Sequence, residues 1–261
     1  MKCRKILSSL YKKCPPSLAE EWDNVGLLTG RPEKEVRRAY IALDATDEVI
    51  EHAVENRADM LITHHPMIFH PMKTITGDDF TGRRIMELIR HDISYAAFHT
   101  NYDIACMAEN AAGILKLKDI IPLCSLKTGE DGRETGLGRV GTLEGDHTLK
   151  ECADLVKERF SIPSVRIYGD PDSAVETVAI LPGSGGGEIS DAIRNNADVY
   201  ITGDISHHQG LDAVLQGLSV IDAGHYGIEK IFIEDMRDYF LRELPEVTVF
   251  TEGTAEPFMV M

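Results

Sequence analysis

No stretch of this chain approaches the roughly 18 uninterrupted apolar residues of a membrane span, and Met1 to Tyr11 has too little apolar core for a secretory signal. A cytoplasmic location with no membrane partner is therefore the expectation. The five cysteines, Cys3, Cys14, Cys106, Cys124 and Cys152, are odd in number and never spaced as C-x-x-C. That excludes a zinc ribbon and argues against a disulfide framework, so they read as reduced thiols. Basic residues are scarce: 27 Lys and Arg face 43 Asp and Glu, a net charge of -16, and no basic stripe can release counterions from a phosphate backbone. Nucleic acid is thus not the expected main partner. Tryptophan occurs once, as Trp22, whose default role is packing under a site. What the chain does have is 43% apolar residues over 261 positions, enough to bury one large core or two packed halves. It also has the carboxylates that hard cations prefer.

Ala39 to Leu43 reads as a strand, and Val49, Ile50, Ala53 and Val54 follow at helical spacing. A second apolar strand, Met60 to Thr63, ends at His64-His65-Pro66. A shift of 139 positions lays Tyr40-Ile41 on Ala179-Ile180, Asn56-x-Ala58-Asp59 on Asn195-x-Ala197-Asp198, and Ile62-Thr63 on Ile201-Thr202. Such self-similarity at a long offset points to two copies of one β-α-β unit. The expected fold class is α/β, with two related α/β lobes from an internal duplication. Its expected divisions are a first lobe over 1–124, a connecting loop or hairpin over 125–146, and a second lobe over 147–261. The glycines around Lys127 to Arg133 mark the seam. Helices are expected over Leu149 to Phe160 and Gly227 to Leu244, and a last strand over Val247 to Phe250.

Parallel strands present binding groups at their carboxyl ends. His64-His65 stands at one such end. Ile93 to Ala96 and Leu218 to Ile221 lead into His99-x-x-x-Asp103 and His225-x-x-x-Glu229, where i and i+4 share a helix face. Adjacent residues of an extended strand point opposite ways, so His64 and His65 are expected to serve two ions. Asp103 and Glu229 are the candidates to bridge them, one bridging while the other caps. His207-His208 is placed at the rim as substrate contact or proton shuttle, and His99 and Asp204 as groups orienting the ligands by hydrogen bonds. Leu181 to Glu188 is glycine-rich but lacks a P-loop lysine, so a tight turn permitting close approach is the reading adopted.

The motifs Trp22-Asp23-Asn24-x-Gly26-Leu27, Thr63-His64-His65-Pro66-x-x-Phe69, His99-Thr100-Asn101-x-Asp103, Gly203-Asp204-x-x-His207-His208 and Gly224-His225-x-x-x-Glu229 together resemble the YbgI-like, or NIF-three-like, dinuclear metal proteins. Members are commonly labelled GTP cyclohydrolase I type 2 homologues. The resemblance implies two α/β lobes with a two-metal site in the cleft between them, a toroidal homohexamer, and His64, His65, Asp103, His225 and Glu229 as the metal ligands. The cofactors would be two divalent cations, with zinc, iron, manganese, cobalt and nickel all compatible with such ligands. It also implies the compact form, without the domain that some relatives carry between the halves. The function expected is a metal-dependent hydrolase acting on a small-molecule nucleotide, by GTP ring opening, or on a phosphoester. The alternative is a non-catalytic metal-binding regulator or adaptor.

Overall fold

A computed structural model describes residues 1–128, 134–253 and 258, and its contacts divide the chain into two compact units. The first joins Met1–Ala105 to Phe232–Thr254. Its sheet holds β1 (Gly26–Thr29), β2 (Arg38–Ala42), β3 (Met60–Thr63), β4 (Ser94–Ala97) and, from the far end of the chain, the last strand, Thr248–Thr251. The spatial order is β1, β4, β3, β2, then that last strand, which pairs with β2 in parallel. The two β2–β3–β4 pairings are also parallel, and only β1 is antiparallel. All four residues of β3 are buried, as a strand covered on both faces requires.

The second unit is built mainly from Cys106–Ile231. Its sheet contains β5 (Lys118–Thr128), β6 (Glu134–Thr148), β7 (Arg166–Tyr168), β8 (Ala174–Ser184), β9 (Val199–Gly203) and β10 (Ser219–Asp222), in the order β5-β6-β8-β9-β10-β7. The central β8, β9 and β10 are parallel, and the outer strands are antiparallel. Leu149–Phe160 forms a helix as predicted, with Thr148 and Glu151 closing a capping box at its start.

The offset read from the sequence has a local physical basis. In the first unit, helix Asp47–Glu55 starts on Thr46, whose side chain accepts from the Val49 amide, and buries Val49, Ile50 and Ala53. It ends as Asn56 Nδ2 donates to the His52 carbonyl at 2.8 Å, Arg57 turns the chain at φ 51°, and Asp59 Oδ2 accepts from the Arg37 and Arg38 amides. In the second, Asn195 Nδ2 donates to the Asp191 carbonyl at 2.9 Å, Asn196 turns at φ 54°, and Asp198 Oδ2 accepts from the Glu176 and Thr177 amides. Strand register follows suit: Ala39 pairs with Met60, and Val178 with Val199. Asn-x-Ala-Asp is thus a stop signal for a helix joined to a clamp on the strand before that helix.

Several expectations are revised. Of the loop or hairpin expected over 125–146, the stretch holds the antiparallel β5–β6 pairing of a hairpin; residues 129–133, where its glycine-rich turn was expected, lie outside the described residues. The chain therefore divides at other points than 1–124 and 147–261, since the terminal helix and strand return to the first sheet. The helix expected over Gly227 to Leu244 is two, His225–Glu229 and Ile231–Glu243.

Candidate metal centre

In the first unit, β3 stops at Thr63, and the His64 and His65 amides both donate to the Leu43 carbonyl, at 3.2 and 3.0 Å. That bend ends the strand's side-chain alternation. The expected divergence of the two rings does not occur: their centroids lie 4.8 Å apart. Tyr95 Oη and Thr63 Oγ1 both donate to the His65 carbonyl, at 3.1 and 2.7 Å, fixing the bend. Burial pushes the Tyr95 phenol up to about 12, so it stays a donor. From the neighbouring strand β4 the chain runs through Phe98 to His99, then into a short helix and a π-turn that begins at Asp103.

One donor atom from each of His64, His65 and His99 lies within 4.8 Å of the other two. Asp103 Oδ1 is 3.4 Å from His64 Nε2. His99, expected only to orient ligands, is thus a ligand candidate itself. Every ring is held at Nδ1: His64 by the Phe98 carbonyl at 2.8 Å, His65 by Asp44 at 2.9 Å, His99 by Asp23 at 2.9 Å. The Asp23 carboxylate is itself buried, which raises its pKa, but hydrogen bonds from His99 and Thr100 outweigh this and hold it down to about 2.

In the second unit, β9 ends at Gly203 and Asp204 adopts φ 57°. Its Oδ2 sits 2.8 Å from His225 Nδ1, and His225 Nε2 lies 2.9 Å from Glu229 Oε2, one helical turn on. Glu229 is 3% exposed. The glycine run supplies close approach of chain to chain: at Gly183, φ 88°, a Cβ would overlap Glu229 Oε1, and at Gly203 it would lie 2.7 Å from the His225 backbone nitrogen. His225, Asp204, Asp222 and Arg166 line a cavity of about 560 Å³ within this unit.

These residues fit divalent cations. A histidine that ligates a metal donates its other ring N–H to a carboxylate or carbonyl. Here four imidazoles meet an oxygen through Nδ1, and the Nε2 atoms of His64 and His225 lie 3.4 and 2.9 Å from the carboxylates of Asp103 and Glu229. The family described as Duf34/NIF3 (NGG1p interacting factor 3) matches residues 1–257. The chain belongs to this family. A GTP cyclohydrolase 1 type 2 homolog of Clostridium acetobutylicum is 38% identical over 229 residues, covering 88% of this chain and 85% of that protein. Another, of Bacillus subtilis, aligns over 335 positions at 29% identity, so it carries sequence that this 261-residue NIF3-family chain lacks. Among solved structures, a Staphylococcus aureus protein superposes at TM-score 0.88 with 30% identity, covering 100% of this chain and 99% of its own. Reduced HcgD from Methanocaldococcus jannaschii does so at 0.82 with 29% identity, covering 96% and 97%.

In this NIF3-family chain, Asp23 and Asp44 orient the rings of His99 and His65, a role that the sequence pattern does not predict. Asp44 had an available signal, because it too follows a parallel strand; Asp23 lies 76 residues from His99, and no local pattern links them. His207 and His208 are exposed at the first turn of helix His207–Leu215, and no donor cluster among the described residues includes them. Trp22 does not pack under the site, for it is 58% exposed.

Glu252 Oε1 accepts from the Leu43 amide at 2.9 Å, at the residue whose carbonyl anchors both histidine amides. Burial, partly offset by that hydrogen bond and reinforced by Asp44 and Glu48, pushes its carboxyl up to about 7. A raised folded pKa contributes stability fully below the unfolded value near 4.5, and loses it as pH rises through about 7. Metal-free protein should therefore lose denaturation midpoint between about pH 5 and about pH 8, and Glu252→Gln should flatten that slope. Equal slopes in the two proteins would rule this out.

Proposed function

We propose that this protein holds two divalent cations with His64, His65, Asp103, His225 and Glu229, and uses them to hydrolyse a nucleotide, by GTP ring opening, or a phosphoester. The observation that carries the reading is the Nδ1 anchoring of His64, His65 and His225, with His64 Nε2 3.4 Å from Asp103 and His225 Nε2 2.9 Å from Glu229. His99 is anchored in the same way and joins them as a further candidate ligand. Five or six protein ligands do not saturate two ions, so coordination positions stay open for water and substrate, as catalysis requires. Bound divalent ions would supply Lewis acidity and activate water near neutral pH.

The chain's own contribution is orientation and proton transfer. Asp44, Asp23 and Asp204 fix ring tautomers, while the Leu43 carbonyl fixes the His64-His65 backbone. His207 and His208, solvent-facing imidazoles, would contact substrate or deliver a proton to the leaving nitrogen. A homohexamer and a cytoplasmic location belong to the same reading, the first by family resemblance and the second by composition.

Elemental analysis of purified protein should find about two divalent ions per chain. Metal-loaded protein should turn over GTP or a phosphoester, and chelation should abolish that activity. Full metal loading without turnover on either class would favour the regulator or adaptor instead.

A further inference from the structure

The only tryptophan of the chain is 58% exposed, and Phe69 beside it is 42% exposed. Single exposed apolar residues need no explanation, but two touching aromatic rings set against a candidate metal ligand do. The Trp22 and Phe69 centroids are 5.6 Å apart at 48°. Each also meets His99 edge-on, at 6.0 Å and 74° for Trp22 and at 6.4 Å and 69° for Phe69.

Nor are these rings on slack loops. Asp23, the next residue after Trp22, receives hydrogen bonds from His99 Nδ1 at 2.9 Å and from the Thr100 amide at 3.0 Å. Asn24 Nδ2 donates to the Ile68 carbonyl at 2.6 Å, tying the Trp22 loop to the residue before Phe69. The carboxylate that aims His99 thus also places Trp22. Rings ordered in advance lose little entropy when a ligand settles on them, which is what a binding surface needs and a packing surface does not.

We propose that Trp22 and Phe69 form a stacking platform for a planar heteroaromatic ring carried by the ligand of the metal centre, so that the substrate class is a ring-bearing phosphate ester of the nucleotide type. This deepens the function proposed above and rests on it. Hard cations recognise the phosphate oxygens, which every phosphoester offers. The exposed π-faces add a preference for flat rings, the contact by which proteins hold nucleobases without regard to base identity. A simple alkyl phosphate gains nothing from them.

Because Trp22 is the sole tryptophan, its fluorescence reports the platform directly. Metal-loaded protein would be titrated with GTP, ATP and inorganic tripolyphosphate, with metal content measured on the same samples. Expected is saturable quenching by both nucleotides, and tighter binding of them than of tripolyphosphate. Trp22→Ala should weaken GTP binding, followed by calorimetry, roughly 5- to 150-fold, the worth of one aromatic–base stack. Trp22→Phe should retain most of the affinity, and neither substitution should alter metal content or tripolyphosphate binding. Nucleotides binding no tighter than tripolyphosphate to fully loaded protein, or a Trp22→Ala loss equal for all three, would overturn the platform while leaving the metal centre standing. A Trp22→Ala effect confined to oligomeric state would also overturn it, and point to a protein partner on these rings. Wild-type protein that takes up no metal would overturn the centre, and with it the ligand assigned to the platform.

Discussion

His64→Ala is expected to purify folded and nearly stripped of metal, with divalent-ion affinity down by at least about a hundredfold. Removing a group that merely orients a ligand costs about 10- to 100-fold, and His64 is proposed as a ligand itself. Its side chain is 0% exposed and sits among the rings of His65, His99, Tyr102 and Phe232, so alanine also leaves a cavity. The Phe98 carbonyl loses its partner as well. Together these should lower metal-free stability by about 1–3 kcal/mol, a loss a domain of this size withstands. His65→Ala separates the two effects. That ring is 22% exposed, against 0% for His64, so its removal should lower the denaturation midpoint less while metal affinity still falls. Unchanged metal stoichiometry in both variants would remove these histidines from the ligand set.

Gly183→Ala should be strongly damaging in the second unit. The backbone there has φ 88°, which costs a residue with a Cβ roughly 1–2 kcal/mol. The new carbon would also overlap Glu229 Oε1, and Glu229 is nearly fully buried with little room to retreat. The expected result is a loss of about 2–3 kcal/mol in unfolding free energy and at least about tenfold in metal affinity, read by denaturant unfolding and by metal titration. Gly187→Ala is the control, since a Cβ there meets nothing within 4 Å and should change neither quantity. Equal behaviour of the two variants would mean that Gly183 does not position Glu229.

Much of the fold is legible wherever its cause is local. The helix Leu149–Phe160 announces itself by Thr148 and Glu151 at capping-box spacing. Strand β3 does so by a short apolar run. The repeat at 139 positions is visible because Asn-x-Ala-Asp performs the same helix stop and strand clamp twice, with contacts that span few residues. The candidate ligands are legible for a related reason: a histidine or carboxylate just past a parallel strand is placed by that strand alone.

What escaped the sequence depends on partners far along the chain. Whether the last strand pairs with β2 or stays with the segment before it is decided by sheet edges and not by its own residues, and it pairs with β2. Tyr102 Oη donating to Asp235 at 2.6 Å joins the same distant segments. The β5–β6 pair likewise extends beyond the loop or hairpin expected over 125–146, with β5 starting at Lys118 and β6 ending at Thr148, because glycines that suggest turns also tolerate a strand packed closely against another: at Gly141 a Cβ would lie 2.7 Å from the Lys118 carbonyl oxygen.

By itself, then, the sequence determined that this chain is an α/β member of the Duf34/NIF3 family with histidines and carboxylates at strand ends, since pattern, caps and motif order are properties of neighbouring residues. Only the tertiary structure decided that His99 joins His64 and His65, that Asp23 and Asp44 hold the rings, and that Trp22 faces outward. Those outcomes follow from which loops meet across the ends of a sheet, and the separation of 76 positions between Asp23 and His99 leaves no periodicity from which that meeting could be read.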